Sequence, residues 1–204
     1  MFLEKINEIL EGGLEVLNLT ELTEVEEKTL ARVKQGGDMT LLAGPKTGKS
    51  TAIALASILK SPESYEGSPR VLIFCSTVAK SRALTEQLKN MVRRTEITVE
   101  PADDQGMMIQ QRNDIYDGVD IIVGNPKRIF DLYLQNGIFL GKLKLLVIDD
   151  ADETTKNIML TRHIIRLVDV LPKCQRLIFT TKMTPHIQLL SEELLVNSIE
   201  VNLL

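Results

Sequence analysis

Two kinds of hydrophobic patterning divide the chain. Near its start, Phe2, Leu3, Ile6, Ile9 and Leu10 recur at helical spacing, and Gly12-Gly13 is expected to end that helix. A second helix is predicted over about 24–34, closed by Gly36-Gly37. From there short apolar runs, at 39–42, 71–75, 120–123, 145–148, 176–179 and 199–201, alternate with longer amphipathic stretches. Near-continuous apolarity, instead of alternation, marks parallel strands buried on both faces. Helices are predicted over 49–59, 79–93, 126–134, 161–170 and 185–194, with Asn125-Pro126 and Thr184-Pro185 each offering a capping side chain before a first-turn proline. Residues 61–68 read as a polar loop and 100–106 as an acidic one. The repeated strand–helix order predicts an α/β fold, a doubly wound parallel sheet with ligands at the carboxyl ends of its strands.

Length and composition narrow the class without changing that picture. At 204 residues, 44% hydrophobic and 25% charged, the chain is expected to form one globular domain, 1–204, with 1–37 as a helical segment ahead of the first strand. No apolar run approaches a membrane span, and Met1-Phe2-Leu3 runs directly into Glu4, Lys5 and Glu8, so neither a membrane association nor a secretory signal is expected. Two cysteines, Cys75 and Cys174, cannot staple a domain of this size and fit a reduced, cytoplasmic setting. The net charge of −4 hides an asymmetry: residues 1–27 hold eight acids and one base, leaving 23 bases against 20 acids in the remainder. A mildly basic body keeps nucleic acid open as a partner, although a solvated helix face explains the N-terminal acids equally well.

The densest chemistry is Ala43-Gly44-Pro45-Lys46-Thr47-Gly48-Lys49-Ser50, which follows a predicted strand and opens a predicted helix, the context a P-loop requires. Its backbone N–H groups and the helix N-terminus present fixed donors to a triphosphate. Lys49 is placed to reach the β- and γ-phosphates and Ser50 to ligate Mg²⁺, with Thr51 completing the nucleotide-binding set. A ligand-free glycine turn is the alternative for the same residues. Leu145-Leu146-Val147-Ile148-Asp149-Asp150-Ala151-Asp152 supplies the carboxylates that a P-loop needs on a neighbouring strand: Asp149 for the metal and Asp150 as general base toward water. Its alternative is a turn rich in capping aspartates.

These motifs resemble those of the DEAD-box and related superfamily 2 RNA helicases, specifically the first of their two RecA-like domains. Residues 43–50 look like motif I, 149–152 like Asp-Glu-Ala-Asp, Asn125-Pro126-Lys127-Arg128 like motif Ib, Ser76-Thr77-Val78-Ala79-Lys80-Ser81 like motif Ia, and Thr180-Thr181-Lys182 occupies the place of motif III. The resemblance spans about 2–201 and implies a RecA-like three-layer fold with a mainly parallel sheet flanked by helices. It also implies Mg-ATP as ligand and weak contact with single-stranded RNA, with Thr77, Lys80, Asn125 and Arg128 as the residues that hold phosphates. A second RecA-like domain, which supplies an arginine finger and half of the RNA clamp in that family, is not expected within these 204 residues. Another chain or a second copy is expected to provide that face.

Four positions depart from the family pattern. Glu26 stands where an adenine-reading glutamine is expected; a carboxylate accepts but does not donate, so Glu26 is either a weakened adenine contact or plain solvated surface. Asp150 replaces a glutamate, Lys182 replaces the motif III threonine, and Val78 replaces the motif Ia arginine. These changes suit an alternative class, a degenerate, non-catalytic nucleotide- or protein-binding module. An unrelated P-loop kinase is a third, without an arginine-bearing lid to support it. His163 and His186 lack metal-ligand spacing and are read as structural.

Overall fold

A computed structural model describes residues 2–17, 20–65 and 67–204. In chain order its elements are α1 (Phe2–Val16), α2 (Glu24–Gln35), β1 (Met39–Ala43), α3 (Lys49–Lys60), β2 (Val71–Phe74), α4 (Val78–Val92), β3 (Val99–Ala102), α5 (Met108–Tyr116), β4 (Ile121–Gly124), α6 (Pro126–Leu134), β5 (Leu145–Ile148), α7 (Ala151–Thr154), α8 (Ile158–Val168), β6 (Gln175–Thr180), α9 (Pro185–Leu194) and β7 (Ile199–Leu203). The described strands form one sheet in the order β3-β4-β2-β5-β6-β1-β7, and every pairing is parallel.

Alternation along each central strand divides its side chains between two apolar layers. Leu41, Ile73, Val123, Val147 and Phe179 face α2, α3 and α4 with Ile53, Leu84 and Leu88. Leu72, Phe74, Ile122, Ile148 and Ile178 face the other side, with Ile129, Ile164 and Leu190 from α6, α8 and α9. Burial on both sides is why β1, β2, β4 and β5 are wholly buried and read as unbroken apolar runs. The three-layer α/β architecture is therefore the one expected, and the long helices and central strands lie within a few residues of their predicted bounds.

Three elements differ from expectation. The first helix does not stop at Gly12-Gly13 but runs to Val16; a Cβ at Gly13 would sit 3.1 Å from Met91 Cε, so this glycine admits close packing of α1 on α4 instead of ending the helix. The side chains of Phe2, Leu3 and Ile6 lie outside the described residues. The acidic stretch 100–106 begins inside a strand: β3 is an edge strand, half-exposed at Glu100 and Pro101, where a proline removes no ladder bond. Helix α5 buries only Gln111 and Ile115, too few positions for a visible apolar stripe. Elsewhere local chemistry sets the ends. Thr23 and Glu26 form a reciprocal capping box on α2, and Gly36, at φ 77°, closes it. The Asn125 and Thr184 side chains cap α6 and α9 ahead of their prolines, as predicted.

Candidate functional site

The sequence motifs converge at the carboxyl edge of the sheet. The loop after β1 carries 43–50, Asp149 follows β5, and β6, between them in the sheet, ends at Thr180. Gly48 adopts φ 95°, and a Cβ there would lie 2.6 Å from Thr23 Oγ1 and 2.8 Å from Glu26 Oε1. Glycine is thus required both for the conformation and for the close approach of α2. Lys46 adds a second left-handed residue at φ 60°. Thr47 Oγ1 donates to Gly44 O at 2.9 Å, closing the turn from inside.

Lys49 is 9% exposed and its ammonium donates to the carbonyls of Ala43, at 2.7 Å, and Gly44. Burial lowers its pKa, against the opposing pull of Asp149, Asp150 and Asp152. This is a cation held by its own loop and facing three carboxylates, with a cavity of about 450 Å³ in front that is lined by Lys46, Lys49, Ser50, Lys80, Asp149 and Asp150. Ser50 is exposed, and Thr51 Oγ1 accepts from Gln87 Nε2 at 3.3 Å.

Asp149 is 6% exposed at the end of a fully buried strand, and its pKa is pushed up to about 7, first by burial and then by Asp150. Lys80, the backbone N–H of Asp150 at 3.0 Å and Lys49 oppose the rise. Asp150 takes a left-handed conformation at φ 49°, a strain that asparagine and aspartate tolerate better than most residues. Asp152 is bound by Thr181 Oγ1 at 2.5 Å and by Thr180 Oγ1 and Thr181 N at 3.4 Å. Burial would raise its pKa, but the Thr181 and Thr180 hydrogen bonds outweigh this and hold it low. The end of β6 is thereby tied to the carboxylate cluster.

The residues expected at nucleic acid separate. Thr77 is exposed and caps α4, accepting from Lys80 N at 3.3 Å; Asn125 caps α6, accepting from Lys127 N at 2.8 Å and Arg128 N at 3.3 Å. These two helix N-termini follow the adjacent strands β2 and β4. Arg128 is only 8% exposed and is braced inside the fold, Nε to Asp104 Oδ1 at 3.4 Å and a terminal nitrogen to Gly106 O at 3.3 Å. The Lys80 side chain lines the cavity in front of Lys49, where its ammonium pairs with the Asp150 carboxylate. Nothing in the sequence announces that pair: the two residues stand 70 positions apart. Glu26, read as adenine contact or solvated surface, is 2% exposed, which removes the second option. Its carboxylate accepts from Thr23 N at 2.7 Å and abuts Gly48.

Among the described residues no group of three or more histidine, cysteine, aspartate or glutamate side chains forms a metal cage. His163 lies against the Phe130 ring at 5.0 Å, and both cysteines are free thiols.

Comparison with known proteins decides the family. The profile of the DEAD/DEAH box helicase family matches residues 23–190. The chain belongs to the DEAD/DEAH box helicase family. A maize DEAD-box ATP-dependent RNA helicase 3B, chloroplastic, is 26% identical over 200 residues, covering 93% of this chain and 26% of that protein. ATP-dependent RNA helicase RhlB of Pseudoalteromonas atlantica is 27% identical over 150 residues, covering 72% of this chain and 36% of its own length. This helicase domain therefore spans about a quarter to a third of those relatives. Among solved structures, S. cerevisiae Dbp5 bound to RNA and ADP BeF3 superposes with a TM-score of 0.86 at 21% identity, over 96% of this chain and half of that one. An ATP-dependent RNA helicase from Sulfolobus tokodaii, described as hypothetical, gives 0.85 at 21% identity over 96% of this chain and 57% of the other. At such identity the likeness extends to the RecA-like fold.

Proposed function

We propose that this chain is one RecA-like domain that binds Mg-ATP at the 43–51 loop and holds the backbone of single-stranded RNA weakly at the N-termini of α4 and α6. The observation that carries the reading is the convergence of Lys49, Ser50, Asp149 and Asp150 on one cavity from elements far apart in sequence. Segment 1–37 belongs to the same domain, since α1 packs on α3 and α4 and α2 on α3. No described helix is long and apolar enough to cross a membrane, and two free thiols fit a reducing, cytoplasmic setting.

The donor set fits a hard divalent cation. Asp149 and Asp150 are buried side by side, and burial disfavours the charged form of Asp149 until a cation arrives. Ser50 and Asp149 are the residues that would hold Mg²⁺, which when bound neutralises phosphate charge. Lys49, released from the Ala43 and Gly44 carbonyls, binds terminal phosphate oxygens. Asp150 accepts a proton from the attacking water once Lys80 yields its carboxylate. Asp152 fixes Thr180 and Thr181, so that β6 moves with the cluster. No described arginine lines the cavity, so charge on the moving phosphoryl group is met from this chain by lysines alone. A second RecA-like domain completes the site.

A non-catalytic reading draws on the Lys80–Asp150 pair and on Glu26 and Lys182, but the intact Lys49, Ser50 and Asp149 set favours nucleotide chemistry. The test is fluorescence anisotropy of a labelled single-stranded RNA. Binding is expected to be weak, steeply salt-dependent and insensitive to sequence, because helix N-termini and capping side chains address phosphates. Tight binding to one sequence would refute it.

A further inference from the structure

A second, larger cavity of about 900 Å³ lies at the opposite end of the sheet. Arg70 precedes β2, Lys144 precedes β5 and Arg176 lies near the start of β6, so this wall is built from the amino ends of the strands. Six cations line it: Arg32, Lys60, Arg70, Lys144, Lys173 and Arg176. The described carboxylate in its wall is Asp38, whose two oxygens accept the backbone N–H groups of Arg176 at 2.8 Å and Val196 at 2.7 Å. Asp38 is thus consumed in anchoring backbone. Among the described residues, none of the six cations has a carboxylate within ion-pair distance.

The arginines are oriented without being neutralised. Arg32 donates to Asp38 O at 3.0 Å and Asn197 O at 2.7 Å, Arg70 to Lys142 O at 3.3 Å, and Arg176 to Leu194 O. The Arg70 guanidinium also lies 3.8 Å over the Tyr65 ring. The Nε atoms of Arg70 and Arg176 are buried and have no hydrogen-bond partner, a costly state for a charged donor. Burial, reinforced by neighbouring Lys144, lowers the Lys60 pKa. In a chain of net charge −4, six cations gathered in one concavity against a single described lining carboxylate, Asp38, are poorly explained as an ordinary solvated surface. Preformed guanidinium forks match tetrahedral phosphate oxygens, and lysines add point charge.

We propose that this cavity binds a compact anion bearing two or more phosphate groups, at a site separate from the 43–51 loop. It stands independently of the nucleotide reading. The test is calorimetry with inorganic tripolyphosphate on the Lys49→Ala chain, in which the first phosphate site is disabled. Saturable binding is expected, weakened about tenfold or more by the added pair Lys60→Gln and Lys144→Gln, with urea stability unchanged. In the parent chain, two independent tripolyphosphate sites are expected, of which ATP displaces one. The proposal is overturned if Lys49→Ala removes all binding in a chain that circular dichroism shows folded, if the lysine pair has no effect, or if ATP displaces every bound tripolyphosphate. It is also overturned if a short single-stranded RNA displaces tripolyphosphate at far lower phosphate concentration, which would make the cavity a nucleic-acid groove.

Discussion

Asp149→Asn is expected to make the nucleotide-free chain more stable above neutral pH while removing its response to Mg²⁺. Burial and Asp150 push the Asp149 carboxyl from an ordinary 3.8 to about 7. Below about pH 4 the group is protonated in both folded and unfolded chains, and its contribution is fully retained. As pH rises toward 7 the unfolded chain ionises first, so folding stability falls until the folded group ionises too. Ionisation values of 3.8 and about 7 correspond to about 4 kcal/mol at high pH, and sharing of charge with Asp150 and Lys80 brings the expectation to about 2–4 kcal/mol. Asparagine keeps the oxygen that accepts from Asp150 N but carries no charge. Urea unfolding of parent and variant at pH 5 and pH 8 should therefore show a variant advantage that grows by about 0.5–2.5 kcal/mol across that interval. Groups remote from Asp149 titrate alike in both proteins and cancel in the difference. An advantage that is the same at both pH values, or a variant less stable at pH 8, would refute the placement of Asp149 as a buried, unneutralised metal ligand.

Glu26→Gln should preserve the capping box, since glutamine serves at the same position, and should raise the preference for ATP over GTP; equal preference in both proteins, read by calorimetry, would place Glu26 outside the base pocket. Arg128→Ala should weaken all RNA sequences alike by loosening the 103–106 turn it braces, which anisotropy would report, and a sequence-selective loss would contradict that. The 204-residue chain alone should hydrolyse ATP very slowly, since lack of an arginine finger lowers the rate by about 10³–10⁵; single-turnover rates rising with the square of protein concentration would assign the opposing face to a second copy.

Much of this was legible because central parallel strands are buried twice over, leaving short apolar runs such as Leu145-Leu146-Val147-Ile148, followed at once by polar residues. The 43–50 loop was legible for a different reason: glycine at 48 is dictated by backbone conformation and by the proximity of Glu26. What escaped were features set by tertiary packing. Edge strand β3 has one neighbour and tolerates Glu100 and Pro101, so its pattern is faint. Lys80 looks like a phosphate contact of motif Ia until the fold brings Asp150 to it. Arg128 looks free until the 103–106 turn closes over it, and Gly13 looks like a helix stop until Met91 packs on it.

Calorimetric titration of ATP in the presence of Mg²⁺ into the parent chain and into Lys49→Ala tests the central claim most directly. Lys49 is the buried ammonium of the loop and is held there by carbonyls it can exchange for phosphate. The parent should bind ATP, with affinity lost when Mg²⁺ is removed, and Lys49→Ala should show no measurable heat while retaining the parent's circular dichroism. Equal ATP affinity in the two proteins would contradict the assignment of residues 43–51 as the nucleotide site.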